Sequence, residues 1–192
     1  FMKGTGAALA GSLMIGPEAL TQVPSVSANG KFNIGVIGCN GMGWSNMNAH
    51  LKIPQVNCVA LADIDQNVLD RRSADAEKLR GKKPRLYKDY RQMLEDKDID
   101  VVIIGTPDHW HCLNLVDSLS AGKHVYVEKP LANSIEECNL MVKAQERYGK
   151  IVQVGQWQRS GSQYADAIDY VKSGKLGQIR LVKTWAYQGW MK

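Results

Sequence analysis

Between residues 32 and 155 short apolar, β-rich runs alternate with longer stretches of helical spacing. Phe32-Asn33-Ile34-Gly35-Val36-Ile37 ends in a Gly-rich turn, and residues 42–52 follow as a predicted helix closed by Pro54. Residues 56–62 read as a second strand. Helical spacing then runs over 68–79 and stops at Gly81 and Pro84. Residues 85–87 make a short strand and 90–94 a short helix. Val101-Val102-Ile103-Ile104 is continuous and β-branched, as a central parallel strand covered on both faces requires. The next helix, 109–121, ends at Gly122, and 125–127 make another strand. Ser134-Ile135-Glu136-Glu137 offers a capping box for a helix running to Tyr148, with Gly149 behind it and a last strand over 151–155. Repeated strand-helix-strand units with short connections predict an α/β fold, a doubly wound parallel sheet. A helix over 163–173 and an alternating strand over 179–187 leave that repeat. They read as the start of a second α/β domain cut off at Lys192, so the expected organisation is 1–30, 31–157 and 158–192.

Composition narrows the class. The 192 residues are 44% hydrophobic and 22% charged, with two Phe, five Trp and seven Tyr, which excludes disordered, collagenous and multispanning membrane chains. The net charge of +5 is spread out, and its densest cluster, Arg80, Lys82, Lys83 and Arg85, has no interleaved aromatics. That pattern fits a solvated loop, and no nucleic-acid partner is expected. Cys39, Cys58, Cys112 and Cys138 lack Cys-x-x-Cys or paired Cys/His spacing, so neither a metal site nor a disulfide framework is expected.

Residues 1–30 carry only Lys3 and Glu18 as charges, with a weakly apolar Gly/Ala/Leu/Met run, Pro17, Pro24 and a small-residue stretch Ser25-Val26-Ser27-Ala28. About twelve apolar residues broken by Gly are too few for a stable membrane span. Phe1-Met2-Lys3 followed by this run resembles the tail of a twin-arginine export signal whose arginines are not in the chain, implying an exported, periplasmic protein. The alternative is a disordered cytosolic extension.

The strand ends carry the unusual residues, where doubly wound sheets bind ligands. Gly38-Cys39-Asn40-Gly41-Met42-Gly43 lies between a strand and its helix, where small residues let backbone amides approach a pyrophosphate at the helix N-terminus. Asn40 stands where a second glycine is expected. Asn tolerates a left-handed backbone, but its side chain crowds the phosphates unless Gly41 takes up the close approach. Asp63, twenty residues past Gly43, ends the second strand, where a carboxylate can accept from both adenosine ribose hydroxyls and repel a 2′-phosphate. That favours NAD over NADP. The other reading of Asp63 is a helix cap, a role that suits Asp65 better.

Two further motifs stand at strand ends: Thr106-Pro107-Asp108-His109-Trp110-His111 and Glu128-Lys129-Pro130, the latter after Gly122-Lys123-His124-Val125. With the Gly turn and Asp63 in register before them, they resemble the glucose-fructose oxidoreductase, inositol dehydrogenase and rhizopine-catabolism (Gfo/Idh/MocA) family over residues 31–188, and its exported bacterial subgroup in particular. The resemblance implies an N-terminal Rossmann domain, a C-terminal α/β domain with an open sheet, and NAD(P)-linked oxidation or reduction of a sugar, cyclitol or related polyol. It also implies homo-oligomers through the second domain, and an Asp and a His from that domain that this chain does not reach.

Moving a hydride from a carbinol carbon also requires removing the hydroxyl proton, and Lys129 is the expected catalytic group for it. Glu128 is expected to orient Lys129 or touch the nicotinamide ribose, and Pro130 to fix the turn. The resemblance places Thr106 and Pro107 on the nicotinamide ribose wall. His109 and His111 stand at the same rim as candidates for contacting cofactor or substrate, and Gln156 and Arg159 as candidates for substrate. Trp44 and Trp110 either shield nucleotide or sugar or pack in the core. Two other functions stay open: a glycoside-cleaving relative that oxidises its sugar transiently, whose exported subgroup lacks the Lys of Glu-Lys-Pro, and a nucleotide-binding module without chemistry.

Overall fold

Strands β1 (Phe32–Ile37), β2 (Val56–Ala62), β3 (Arg85–Tyr87), β4 (Val101–Ile104), β5 (His124–Val127) and β6 (Val152–Val154) pair in the order β3-β2-β1-β4-β5-β6. All five pairings are parallel in this computed structural model, which describes residues 30–185. Helices α1 (Gly41–His50), α2 (Gln66–Arg80), α3 (Tyr90–Leu94), α4 (His111–Ser120) and α5 (Ile135–Tyr148) connect them, and α6 (Ser162–Lys172) follows.

The two-residue period of β4 explains the layering, because successive side chains leave opposite faces of a strand. Val102 and Ile104 pack with Leu115 and Leu119 of α4 and Met141 of α5. Ile103 packs on the other side with Val36 of β1, Met47 of α1 and Leu69 of α2. Since β1 neighbours both β2 and β4, the connections diverge between β1 and β4, which opens a crevice beyond their carboxyl ends.

Local chemistry sets the element ends. Asp65 caps α2 by accepting from the Asn67 amide at 2.9 Å, and Gly81 and Gly149 close α2 and α5 in left-handed conformations with φ of 71° and 61°. Ser134 caps α5 by accepting from the Glu137 amide at 3.2 Å; the Glu137 carboxylate reaches back to the Asn133 amide at 3.0 Å, one residue earlier than a reciprocal box requires.

Two expectations change. The helix expected from residue 109 begins as a 3-10 turn, Asp108–Trp110, held by the Trp110 amide on the Pro107 carbonyl, and α4 proper starts at His111. The strand expected over 179–187 is not formed over 179–185; its last two residues lie outside the described residues. An alternating segment becomes a strand only beside an edge that pairs its backbone, and 179–185 pairs with none of the described strands. The proposed leader, 1–30, lies outside the described residues except for Gly30. Among those described, no helix is long and apolar enough to cross a membrane.

Candidate active site at the carboxyl ends of the strands

Beyond β1 the chain turns through Gly38 at φ 79° and Gly41 at φ 46°, while Asn40 is extended at φ −93°, ψ 171°. The left-handed conformation that Asn40 could tolerate falls instead on Gly41, whose missing side chain faces open space. Gly43 answers a different demand: a Cβ there would lie 1.9 Å from the Gly38 carbonyl oxygen. Gly105, just after β4, completes this packing, since its Cβ would come 2.4 Å from the Gly43 Cα. Two strand-end glycines, Gly38 and Gly105, and Gly43 of α1 thus seat that helix directly on the sheet. The first turn of α1 has neither a side-chain cap nor an acidic residue, unlike α5 with Ser134, Glu136 and Glu137. The Gly43 amide donates to the Asn40 carbonyl at 3.1 Å, and those of Gly41 and Met42 before it are left to an external acceptor.

Asp63 is half-buried at the end of β2. Oδ2 accepts from the Cys39 amide at 2.7 Å, fastening the Gly turn to β2, and Oδ1 accepts from the Asp65 amide at 3.0 Å. Each carboxylate oxygen has two lone pairs, so each keeps one for a hydroxyl. Burial, with Asp63 beside it, pushes the Cys39 thiol well above its usual range, so Cys39 is an uncharged core residue.

A crevice of about 550 Å³ runs from this turn across β1 to β4. It gathers Gly38, Asn40, Asp63, Thr106 and Pro107 from the sequence expectations, together with Trp110, which is 45% exposed. Trp44 instead lies in the core under the Arg72 guanidinium, 5.2 Å from its ring. Asn114 and Tyr90 also line the crevice without having been singled out. Thr106 Oγ1 donates to Asn114 Oδ1 at 3.0 Å. The Tyr90 phenol donates to Asp117 at 2.7 Å; burial and that carboxylate push it up to about 12.

Ile104 pairs with Val127, so segments 105–107 and 128–130 leave the sheet side by side. Lys129 is exposed beside the Thr106-Pro107 segment and does not itself line the crevice, and among the described residues its amine has no hydrogen-bond partner. Glu128 is 3% exposed: Oε1 accepts from Asn46 Nδ2 of α1 at 2.8 Å and Oε2 from the Lys129 amide at 3.1 Å. A Cβ on Gly155 would lie 2.8 Å from Oε1, so the end of β6 closes over this carboxylate. It is the burial of this carboxylate under α1 and the end of β6 that leaves no open face for a ribose. The Lys129-Pro130 peptide is cis.

His111 departs from expectation. It is 1% exposed, with Nδ1 2.8 Å from the Pro130 carbonyl oxygen and Nε2 2.9 Å from that of Thr106. The ring is spent on main-chain oxygens beneath the rim and cannot meet a ligand. His109 is exposed, its Nδ1 3.6 Å from Asp108 Oδ1. Met42, Gln156 and Arg159 are also exposed and do not line the crevice.

The profile of the Gfo/Idh/MocA oxidoreductase family, with its NAD-binding Rossmann fold, matches residues 32–156, from β1 through β6. The chain belongs to this family. Among solved structures it is similar to scyllo-inositol dehydrogenase from Lactobacillus casei with bound NAD(H) and scyllo-inositol, at 25% identity and a TM-score of 0.69, over 77% of this chain and 43% of that one. It is also similar to myo-inositol 2-dehydrogenase from Lactobacillus plantarum, at 27% identity and a TM-score of 0.68, over 78% and 43%. Among curated proteins it is 31% identical to a glycosyl hydrolase family 109 protein of Shewanella putrefaciens and 29% identical to an α-N-acetylgalactosaminidase of Shewanella oneidensis, each over 93% of this chain and 43% of the relative. The chain therefore spans less than half the length of these relatives.

The residues present fit the dinucleotide of the family. The uncapped start of α1 with the open space at Gly41 suits a pyrophosphate, and the spare lone pairs of Asp63 suit a ribose. Three cations stand near this end: Lys88 Nζ donates to the Ile64 carbonyl at 2.9 Å, Arg91 is doubly bound to Asp89, and the Arg71 guanidinium reaches Asn40 Oδ1 at 3.3 Å.

Proposed function

We propose that the full-length protein moves a hydride between NAD and a carbinol carbon of a sugar, cyclitol or related polyol. The observation that carries this reading is the shared rim: the Gly38–Gly43 turn and Asp63 bound one crevice, and segment 128–130 leaves the sheet beside its Thr106-Pro107 wall. The amides of α1 hold the pyrophosphate and Asp63 the adenosine ribose. Bound there, NAD supplies a hydride acceptor. Lys129 Nζ takes the hydroxyl proton as the carbon is oxidised and returns it in the reverse direction. Glu128 holds the Lys129 backbone, and Thr106 and Pro107 shape the wall. Asp63 favours NAD over NADP.

A second reading has the curated relatives behind it. With 31% identity to a glycosyl hydrolase family 109 protein, the chain also suits a glycosidase that oxidises its sugar transiently and recycles a retained NAD. One experiment separates the two: full-length protein is incubated with NAD and a panel of free cyclitols, sugars and their aryl glycosides. Accumulating NADH supports the dehydrogenase, and aglycone release without net reduction supports the glycosidase. Lys129→Ala is expected to abolish turnover and spare NAD binding; undiminished turnover would remove Lys129 from the chemistry. Export of the full-length protein, proposed from residues 1–30, is tested by its recovery in the periplasmic fraction.

A further inference from the structure

The backbone around Lys129 is tied on both sides to elements remote in sequence, while its side chain is free. Before it, Glu128 is a carboxylate only 3% exposed with no cation paired to it among the described residues. Charge in such a place is costly unless hydrogen-bonded. Its bonds come from Asn46, 82 residues away on α1, and from the Lys129 amide. Gly155 at the end of β6 leaves room for that arrangement and for nothing larger. After Lys129, the Pro130 carbonyl oxygen lies 2.8 Å from His111 Nδ1, and the Thr106 carbonyl oxygen lies 2.9 Å from Nε2 of the same ring. Carbonyl oxygens only accept, so the ring is the donor, through one nitrogen when neutral and through both when protonated.

We infer that Asn46 and His111 are positioning residues for Lys129, fixing its backbone relative to the helix that carries the phosphate turn on one side and to the Thr106-Pro107 wall on the other. The inference rests on the role proposed for Lys129 and goes beyond it. Neither side chain touches the crevice described above. Asn46 lies one turn past Gly43 on α1, so the same rigid helix carries the phosphate-facing amides at its start and the anchor of Glu128 in its middle. A displacement of about 1 Å between reacting groups can cost about 10²-fold in rate, which makes such anchoring consequential without any contact to the ligand.

The test uses full-length protein and three readouts: NAD affinity by fluorescence titration, amide hydrogen exchange at Lys129 without nucleotide, and turnover of the panel member the wild type oxidises fastest. Asn46→Leu and His111→Phe are each expected to lower kcat by about 10²-fold. NAD affinity should stay within about threefold, because the α1 amides and Asp63 are untouched. The Lys129 amide, bonded to Glu128 Oε2, should exchange about tenfold faster in Asn46→Leu. Asn46→Asp alone should be worse, setting two carboxylates together, whereas Asn46→Asp with Glu128→Gln reverses donor and acceptor and should recover most of the lost turnover. That comparison stands even if Asn46→Leu does not fold. Normal kcat in folded Asn46→Leu and His111→Phe, NAD affinity falling in step with turnover, or a double variant no better than Asn46→Asp would each overturn the inference. Lys129→Ala keeps the two claims apart: if it retains full turnover, the role of Lys129 fails; if it is dead while Asn46→Leu and His111→Phe turn over normally, only the positioning role fails.

Discussion

Replacing Gly43 by Ala places a methyl 1.9 Å from the Gly38 carbonyl oxygen, with the Gly38 carbonyl carbon at 3.1 Å and the Gly105 Cα at 3.4 Å. An ordinary carbon-oxygen approach is about 3.3 Å, so α1 and the turn must part by about 1.4 Å. The obstacle is backbone on both sides, and no rotamer change relieves it. Overpacking of this kind costs about 3 kcal/mol, the upper end of its usual range. For a domain of this size that corresponds to a fall of about 6–12 °C in the unfolding midpoint. Gly41→Ala is the matched control: its Cβ meets nothing within 4 Å and its cost is the left-handed φ of 46° alone, about 1.5 kcal/mol or about 3–6 °C. Thermal unfolding by circular dichroism reads both. A Gly43→Ala midpoint no lower than that of Gly41→Ala would refute the claim that the fingerprint glycine serves helix-on-sheet contact.

Other substitutions probe neighbouring parts of the account. Asp63→Asn keeps an acceptor for the Cys39 amide and removes the charge, so NADP affinity relative to NAD should rise about 10- to 100-fold in paired titrations; an unchanged ratio would detach Asp63 from cofactor choice. His124 accepts from the Ile151 amide at 3.0 Å, and burial, then Lys150, holds its ring below the usual imidazole range. The neutral form is thus the folded one: its contribution is complete above about pH 6.5 and is lost as pH falls through the lowered folded value. The drop in urea midpoint from pH 7.5 to 5.5 should be smaller in His124→Asn, whose amide oxygen accepts without titrating; an equal drop would place the acid sensitivity elsewhere. Burial pushes the Cys58 thiol up to about 12, leaving about one part in 10⁴ as thiolate at pH 8. Iodoacetamide at pH 8 should therefore leave Cys58 unmodified in the native protein and label it in urea, and rapid native labelling would contradict its burial.

Most of the sheet was legible because its central strands are short apolar runs bounded by turn residues, and the expected limits of β2, β3 and β4 match the observed ones. The start of α4 was not, because the 3-10 turn depends on the Pro107 carbonyl, which periodicity does not register. His111 carried a readable signal: it stands four, seven and eight residues before Leu115, Ser118 and Leu119, all buried on the same helical face. Its imidazole drew attention to chemistry instead. That the Gly turn and Asp63 would meet at one crevice was readable from their fixed spacing within one strand-helix-strand unit. Gly105 and Asn46 were not, since a single glycine after an apolar strand and an asparagine on a helix gain meaning only against backbone or side chains far away in sequence. Asn114 is similar, a polar residue on the buried face of α4 that serves Thr106 eight residues earlier.

The most direct measurement is a structure of the full-length protein with NAD bound. The account predicts the pyrophosphate on the first-turn amides of α1, the adenosine ribose on the Asp63 oxygens, and the nicotinamide over the Thr106-Pro107 wall with the Lys129 amine swung in toward its reactive carbon. A nucleotide bound elsewhere, or seated in this crevice with its nicotinamide out of reach of any Lys129 rotamer, would contradict it.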